Sequence, residues 1–505
     1  MKKKLFIAAV AMTVMGQNVF AGGYLTNTNQ SVTFLREPSR DASIGIDGAY
    51  SNPAGLLFLN QGFQVQANIQ SAYQHRYVES TFAPFAYGVK NNGQSTKLFE
   101  GNATAPVIPS LHLSWNFADK WNINGSFMVV GGGGKCTFEE GLGSFEAAAS
   151  LLPVLGQQAG LDIKGYSIDS YMQGKQYYYC GQVGVGYKVN DMLALSFQAR
   201  LVYGSANYYG YIKDIKVYTG DQPEGILANQ YFNGLHDQCI AGAQQCLDGA
   251  EVYAAMGMTD KAAELKTQAA VLQGKAQALA GYATMTEDVT LNCDQVGVGF
   301  TPILGIDFRP NENWNFAAKY EFKTRMRLKN KSANSASADK LTQLAQFKDG
   351  DTVKEDIPAY LTLGAMYSPI PSLRINAGYH MFFDKQASKV NDAQELLDGN
   401  TFEINAGVEW DICKNWTISG GWQSTNYGNT DDYMKDISFT TSSNTFGFGA
   451  AWNINEHFTL DMAYFFTNYK KYTKESNNYN GTTLKGTDIF WRDNKVFGFG
   501  LTYKL

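Results

Sequence analysis

Phe63-Gln64-Val65-Gln66-Ala67-Asn68-Ile69-Gln70 alternates apolar and polar side chains without a break. Successive side chains of a strand point to opposite faces, so this stretch has one apolar face and one amide face. The pattern recurs to the end of the chain: Leu111-His112-Leu113-Ser114-Trp115, Phe316 to Phe322, Phe446-Gly447-Phe448, and Phe497-Gly498-Phe499-Gly500-Leu501-Thr502-Tyr503. Fourteen such segments are centred near residues 69, 112, 127, 182, 200, 302, 320, 363, 378, 406, 420, 448, 463 and 498.

The connections alternate as well. Short polar turns such as Ala118-Asp119-Lys120, Val189-Asn190-Asp191 and Ser368-Pro369-Ile370-Pro371 take turns with long segments, the longest near 139–170 and 212–288. An even number of antiparallel strands, short turns on one side and long loops on the other describe an outer-membrane barrel. Several turns run straight into an aromatic (Trp121, Trp314, Trp416, Phe458), as an interfacial girdle would. A soluble β-sandwich would bury its aromatic face and has no need of alternating loop lengths. The expected fold is therefore all-β, a 14-stranded antiparallel transmembrane β-barrel, residues 61–505.

Two loops carry helix signals. Ser144 to Gly160 is an Ala-rich apolar run broken by Pro153, and Asp260 to Ala280 places Leu265, Leu272, Ala276 and Leu279 on one face. A single helical hairpin should not bury its own face, so both are expected to be extracellular lids over the mouth.

The N-terminus departs from this text. Met1-Lys2-Lys3-Lys4, an uncharged run from Leu5 to Met15 and Val19-Phe20-Ala21 have the form of a signal peptide, residues 1–21. That run is too short to span ~30 Å of hydrocarbon. Residues 22–60 lack strand alternation, carry Arg36, Glu37 and Arg40 close together, and end in a turn centred on Asn52-Pro53. The expectation is a small plug, or hatch, inside the barrel.

Composition sets bounds. The chain is 14% aromatic with 51 Gly and 12 Pro, and its net charge of −5 argues against a nucleic-acid partner. Six cysteines (136, 180, 239, 246, 293, 413) lack zinc-ligand spacing, so no metal is expected. Cys239 and Cys246 could pair across a short loop or remain free. No cofactor is expected. Gly184-Val185-Gly186, Gly297-Val298-Gly299 and Gly447-Phe448-Gly449 are strand glycines with no helix following, so they make room in the lumen rather than bind a nucleotide. No Gly-x-Ser-x-Gly elbow occurs, and no His-Ser-Asp set falls at one lumen level, so the chain is not expected to be an enzyme.

If the aromatic face meets lipid, the opposite parity lines the lumen. It places Arg200, Lys319, Arg374, His112 and His380 inside with Glu321, Glu403 and Glu409. These charges can pair with one another and hold the plug, since buried charges need partners; alternatively a cation such as Arg200 or Lys319 meets an anionic head group. The third strand runs into Gly131-Gly132-Gly133-Gly134. Four glycines in a wall strand bend, bulge or end it, and a kink there would leave a gap toward lipid; Asn52-Pro53-Ala54, the fixed end of the hatch, is expected to pack close to it.

These residues resemble the FadL/TodX family of outer-membrane hydrophobic-compound transporters over most of the mature chain. Asn52-Pro53-Ala54 matches the family's NPA motif, and Gly131 to Gly134 falls on its kinked third strand. Gly305 to Phe308, Ala318 to Lys323 and Asp356 to Gly364 resemble its sixth, seventh and eighth strands. The resemblance implies a hatch-closed barrel in the outer membrane of a Gram-negative bacterium, a monomer among outer-membrane lipids. It implies passive uptake of long-chain fatty acids or aromatic hydrocarbons, captured near a long helical loop. They would pass by hatch rearrangement and leave sideways through the third-strand kink; an open porin is the lesser alternative. Fatty-acid-transporting members have a basic residue toward the outer end of the fifth strand. Here that region is Asn207-Tyr208-Tyr209-Gly210-Tyr211, with Lys213 the nearest cation, which leaves room for a neutral or aromatic ligand.

Overall fold

The computed structural model describes residues 31–505; the expected signal peptide and residues 22–30 lie outside the described residues. A single antiparallel sheet closes on itself in fourteen wall strands. We number them β1 Gly62–Phe82, β2 Thr96–Phe117, β3 Trp121–Phe138, β4 Ile163–Lys188, β5 Leu193–Thr219, β6 Val289–Phe308 and β7 Trp314–Glu321 with Arg327–Ser332. Then follow β8 Thr352–Lys354 with Tyr360–Ile370, β9 Leu373–Phe382, β10 Thr401–Cys413 and β11 Trp416–Asn426. The last are β12 Ser443–Asn453, β13 Phe458–Tyr469 with Tyr472–Ser476, and β14 Gly486–Lys504. Closure is between first and last strands, Gln64 opposite Lys504 through Phe82 opposite Gly486.

Side-chain parity follows the alternation. Ile69, Phe127, Phe197, Phe300, Ile404 and Phe499 lie exposed on the outer surface, with Trp121, Trp314 and Trp416 exposed beside the short turns. A soluble protein would bury this band; around a closed barrel it is the lipid-facing surface. The polar parity is buried inside, including Gln66, Asn68, His112, Gln198 and Thr301.

The wall is uneven in height. β4 and β5 have 26 and 27 residues, whereas β9 has 10. At ~3.3 Å per residue, the long strands stand well beyond a bilayer on the long-loop side. Tyr208 and Ile212 of β5 there join Phe99 of β2, Phe138 of β3, Phe490 of β14 and the loop residue Phe439 in an apolar mouth. Into it pack α2 (Gly143–Ser150) and α3 (Leu152–Ala159). Pro153 sits in the first turn of α3, where its missing N–H costs no helical bond, so it divides the run into two helices.

The second loop differs from the expected lid. It forms a hairpin of α4 (Ala228–Ala255) and α5 (Thr259–Met285), and α4 was not foreseen. Phe232, Leu279 and Ala283 anchor its base in the mouth. Farther out the two helices bury chiefly each other, and Ile240, Val252, Met256 and Val271 are solvent-exposed. The hairpin does bury its own seam: Ala262, Ala269 and Ala276 are buried, and Leu265 and Leu272 fit opposite Gly249 and Gly242. Small residues let the helices approach closely enough for one pair to suffice. Cys239 and Cys246 lie seven residues apart on α4, ~10.5 Å along its axis, too far for a disulfide. Both are free thiols.

Candidate functional site: hatch, lumen and wall opening

The hatch begins with the short helix α1 (Val32–Arg36), capped by Ser31, whose Oγ accepts from Phe34 N at 3.0 Å. Arg40 folds the next turn by a fork onto Asp47, 2.8 Å from Nε and 3.1 Å from Nη2. Its Nη1 also reaches Glu37 at 3.1 Å. Such bidentate guanidinium–carboxylate pairs fix geometry as well as charge.

The wall makes room for this segment and then grips it. A Cβ at Gly407 would collide with Glu37, at Gly378 with Asp41, and at Gly447 with the Leu35 carbonyl. Arg36 lies 3.1 Å from both Glu409 and Asp461. His380 sits between Asp41 of the hatch, 2.9 Å from Nε2, and Glu403 of the wall, 2.7 Å from Nδ1. Gln182 and Gln198 both donate to the Ala49 carbonyl, and Lys319 donates to the Tyr50 carbonyl at 2.8 Å.

Asn52-Pro53-Ala54 is the most constrained part. Asn52 Nδ2 donates to Asp307 of β6 at 2.5 Å while its Oδ1 accepts from Gly55 N at 3.2 Å. Pro53 lies over Gly305, and Ala54 packs with Leu57 and Ala194. The motif was expected beside the kink in β3. It is seated on β5 and β6 instead, because Asp307 supplies the acceptor. The hatch residue that joins the kink's apolar neighbours is Tyr50.

The five expected lumen residues all face inward. Arg200 forks onto Glu321, with Nη2 to Oε1 at 3.1 Å, and Lys319 reaches the same carboxylate at 2.7 Å. Both cations also lie over the Tyr50 ring. Arg374 is bound by Glu409 and Asp411 near the short-turn end. His112 is fully buried, with Nδ1 3.0 Å from Ser126 Oγ. These contacts bring Arg200, Lys319 and His380 together with the hatch, and leave Arg374 and His112 in wall–wall contacts.

Gly131 to Gly134 lies within β3. Gly132 has φ +102° and Gly134 φ +75°, conformations that favour glycine. The ladder with β4 slips twice here. The ladder with β2 fails outright: after Thr104 opposite Lys135, pairing resumes only at Leu111 opposite Phe127. The β2 lip of this opening is Ala105-Pro106-Val107-Ile108-Pro109-Ser110. Its two prolines lack N–H donors, so β2 is as ill-suited to pairing here as β3. Behind the opening, Met128 and Val130 belong to an apolar cluster with Tyr50, Tyr178, Val202, Met326 and Leu328.

Among the described residues, two cavities lie in the mouth. One, of about 700 Å³, is lined by α2, α3, Ile212, Tyr282 and Met285. A second, of about 400 Å³, lies beyond Phe145 and Val289 and is lined by Met172, Tyr208 and Leu344. Tyr208 and Ile212 point inward here, while Lys213 is on the opposite parity, so the outer end of β5 gives the lumen no cation.

A fourteen-strand barrel with a short N-terminal hatch and a broken third strand defines a known architecture. The fold is the FadL type. A FadL homologue of Pseudomonas aeruginosa superposes with a TM-score of 0.61 at 12% identity, over 95% of this chain and 99% of that one. The Pseudomonas putida toluene transporter TodX gives 0.53 at 13%, over 91% and 94%. The Ralstonia pickettii toluene transporter TbuX gives 0.53 at 12%, over 94% and 99%. No protein-family model matches the sequence, and neither does any curated protein. The FadL-type fold thus persists here at an identity where only the physical pattern carries it.

Proposed function

We propose that this chain is a passive outer-membrane transporter of hydrophobic molecules, long-chain fatty acids foremost. The observation that carries the reading is the failed β2–β3 ladder, backed by the Met128–Val130–Tyr50 cluster, above a hatch that fills the lower lumen. Backbone groups unpaired toward hydrocarbon are costly, so an intact barrel has little reason to keep such a break. An apolar solute would enter the mouth cavities beside α2 and α3 and descend along the apolar lining. It would leave between β2 and β3 into the lipid, once Tyr50 and its neighbours shift. The hatch keeps water and ions from following, which disfavours an open porin.

Aromatic hydrocarbons are the second reading, favoured by the apolar lining of the mouth cavities and the lack of an inward cation on outer β5. The test is to purify the protein from outer membranes, identify co-extracted lipids by mass spectrometry, and compare palmitate and toluene uptake in cells with and without it. Uptake of one or both should depend on the protein. If neither depends on it and no lipophile is co-extracted, the proposal fails.

A further inference from the structure

Lys135 of β3 and Lys175 of β4 are direct cross-strand partners, both exposed on the outer surface of the wall. Side chains directly opposed in this way stand ~5 Å apart, and like charges there destabilise an antiparallel pair. Among the described residues neither lysine has a carboxylate within ion-pair distance. Lys175 Nζ lies over the Tyr177 ring, 5.6 Å from its centroid. Lys135, opposite Thr104, forms the upper lip of the wall opening. On its other side Lys175 faces a neutral partner, Asn207.

Height in the wall decides what surrounds these cations. Tyr187, paired with Trp121, marks the short-turn end of β4, and Lys175 is twelve residues back along the strand. Twelve residues are ~40 Å of strand, or ~30 Å of height at the usual tilt. That is above an outward apolar band ~25 Å tall and within the polar layer of the outer leaflet. Four residues farther out on β4, Tyr171 stands beside Tyr209 and Tyr211 of β5, its ring nearly parallel to that of Tyr211 at 5.7 Å and 6.0 Å from that of Tyr209. All three tyrosines lie on the outward parity and are partly exposed. Between them and the lysines, Gln173 is hydrogen-bonded to the Tyr171 hydroxyl and to Asn207. The acids keep their distance: Glu139 follows the end of β3, Asp169 is opposite Lys213, and Asp294, two strands from Lys175, accepts from Asn207.

We infer that the outward face of β3 to β5, beside the opening, docks a phosphorylated glycolipid of the outer leaflet, its phosphate between Lys135 and Lys175 and its sugars on the Tyr171–Tyr209–Tyr211 platform. An ammonium is a compact point charge that binds phosphate, and a phosphate between the two lysines would relieve their repulsion. Tyrosine packs its apolar ring against sugar C–H groups and keeps a hydroxyl for sugar oxygens. A phospholipid without sugars would leave the platform uncovered. The acyl chains of a glycolipid held here would hang beside the gap between β2 and β3. The inference rests on the outer-membrane reading of the barrel and is independent of which hydrophobic molecule it carries.

The test is binding of bisphosphorylated lipid A, dephosphorylated lipid A and phosphatidylglycerol to the purified barrel, read by native mass spectrometry. Wild type should prefer lipid A to either of the others by about tenfold or more. Lys175→Gln should weaken lipid A about fivefold, and Lys135→Gln with Lys175→Gln about twenty-fivefold. Tyr171→Ser with Tyr211→Ser should weaken lipid A and leave phosphatidylglycerol unchanged. Inorganic phosphate, a head without sugars or tails, should not displace lipid A. These side chains are exposed, so folded variants are expected; should they not fold, a wild-type preference for the phosphorylated lipid that fades at high salt carries the same prediction. Equal lipid A binding by wild type and the double lysine variant, equal affinity for lipid A and phosphatidylglycerol, or displacement by inorganic phosphate overturns the glycolipid site. Protein-dependent palmitate or toluene uptake without lipid A binding overturns this inference alone, whereas a barrel that fractionates away from outer membranes overturns the outer-membrane reading with it.

Discussion

Around the hatch, buried cations meet carboxylates: Arg36 has Glu409 and Asp461, Arg40 has Glu37 and Asp47, Arg200 and Lys319 share Glu321, and His380 stands between Asp41 and Glu403. Higher in the lumen Arg492 meets a tyrosine ring, with Arg76 opposite and apolar side chains on either side. The same residue type does different work in the two regions. In the lower lumen, charge fixes the hatch to the wall alongside its own buried apolar residues, Phe34 and Leu35 against Phe465 and Leu57 against Ala194. In the upper lumen, Arg76 and Arg492 face each other across the first and last strands within an apolar lining.

The contrast can be broken from either side. The largest effect is expected for Arg36→Ala, which leaves Glu409 and Asp461 buried without this guanidinium and should cost ~3–5 kcal/mol of hatch anchoring. Ion conductance in planar bilayers should rise as the hatch loosens, and the variant should melt earlier. Wild-type conductance and melting would remove the distinction between the two halves.

A smaller effect is expected at the mouth. Asp384 follows β9 in a loop, accepts from Thr401 N at 2.9 Å, and is pushed by burial from 3.8 to about 6. A raised carboxyl favours the folded state while protonated, so its contribution is complete below its ordinary pKa and lost as pH rises through about 6. Stability should fall by roughly 2 to 3 kcal/mol across that window, and Asp384→Asn should flatten the profile. Melting curves of both proteins across the window check this; parallel curves would contradict it.

The barrel was legible because its two signals are local: period-two alternation within strands, and loop lengths that alternate between them. The hatch was legible by what it lacked, but not its docking. Asn52 and Asp307 are 255 residues apart, and nothing local marks Asp307 as the acceptor. Helix α4 escaped because Gly234, Gly242 and Gly249 argue against a helix on propensity, whereas two of them are the hollows for Leu272 and Leu265. The opening was half legible. Gly131 to Gly134 marked one lip, and Pro106 and Pro109 could have marked the other, since prolines in a wall strand forfeit ladder donors. The Arg76–Arg492 pair depends on the first and last strands closing in one register, which no window of sequence contains.

The central claim is that the β2–β3 break is the way out. Its most direct test replaces Gly131, Gly132, Gly133 and Gly134 by Thr, Val, Thr and Val, favouring a regular β3 that can pair with β2. Uptake of palmitate and toluene should be measured in cells with equal amounts of folded barrel, alongside binding at the mouth. The account predicts uptake reduced to that of cells lacking the protein, with mouth binding within about twofold of wild type, since the cavities beside α2 and α3 are untouched. Wild-type uptake through a wall shown to be closed would contradict it.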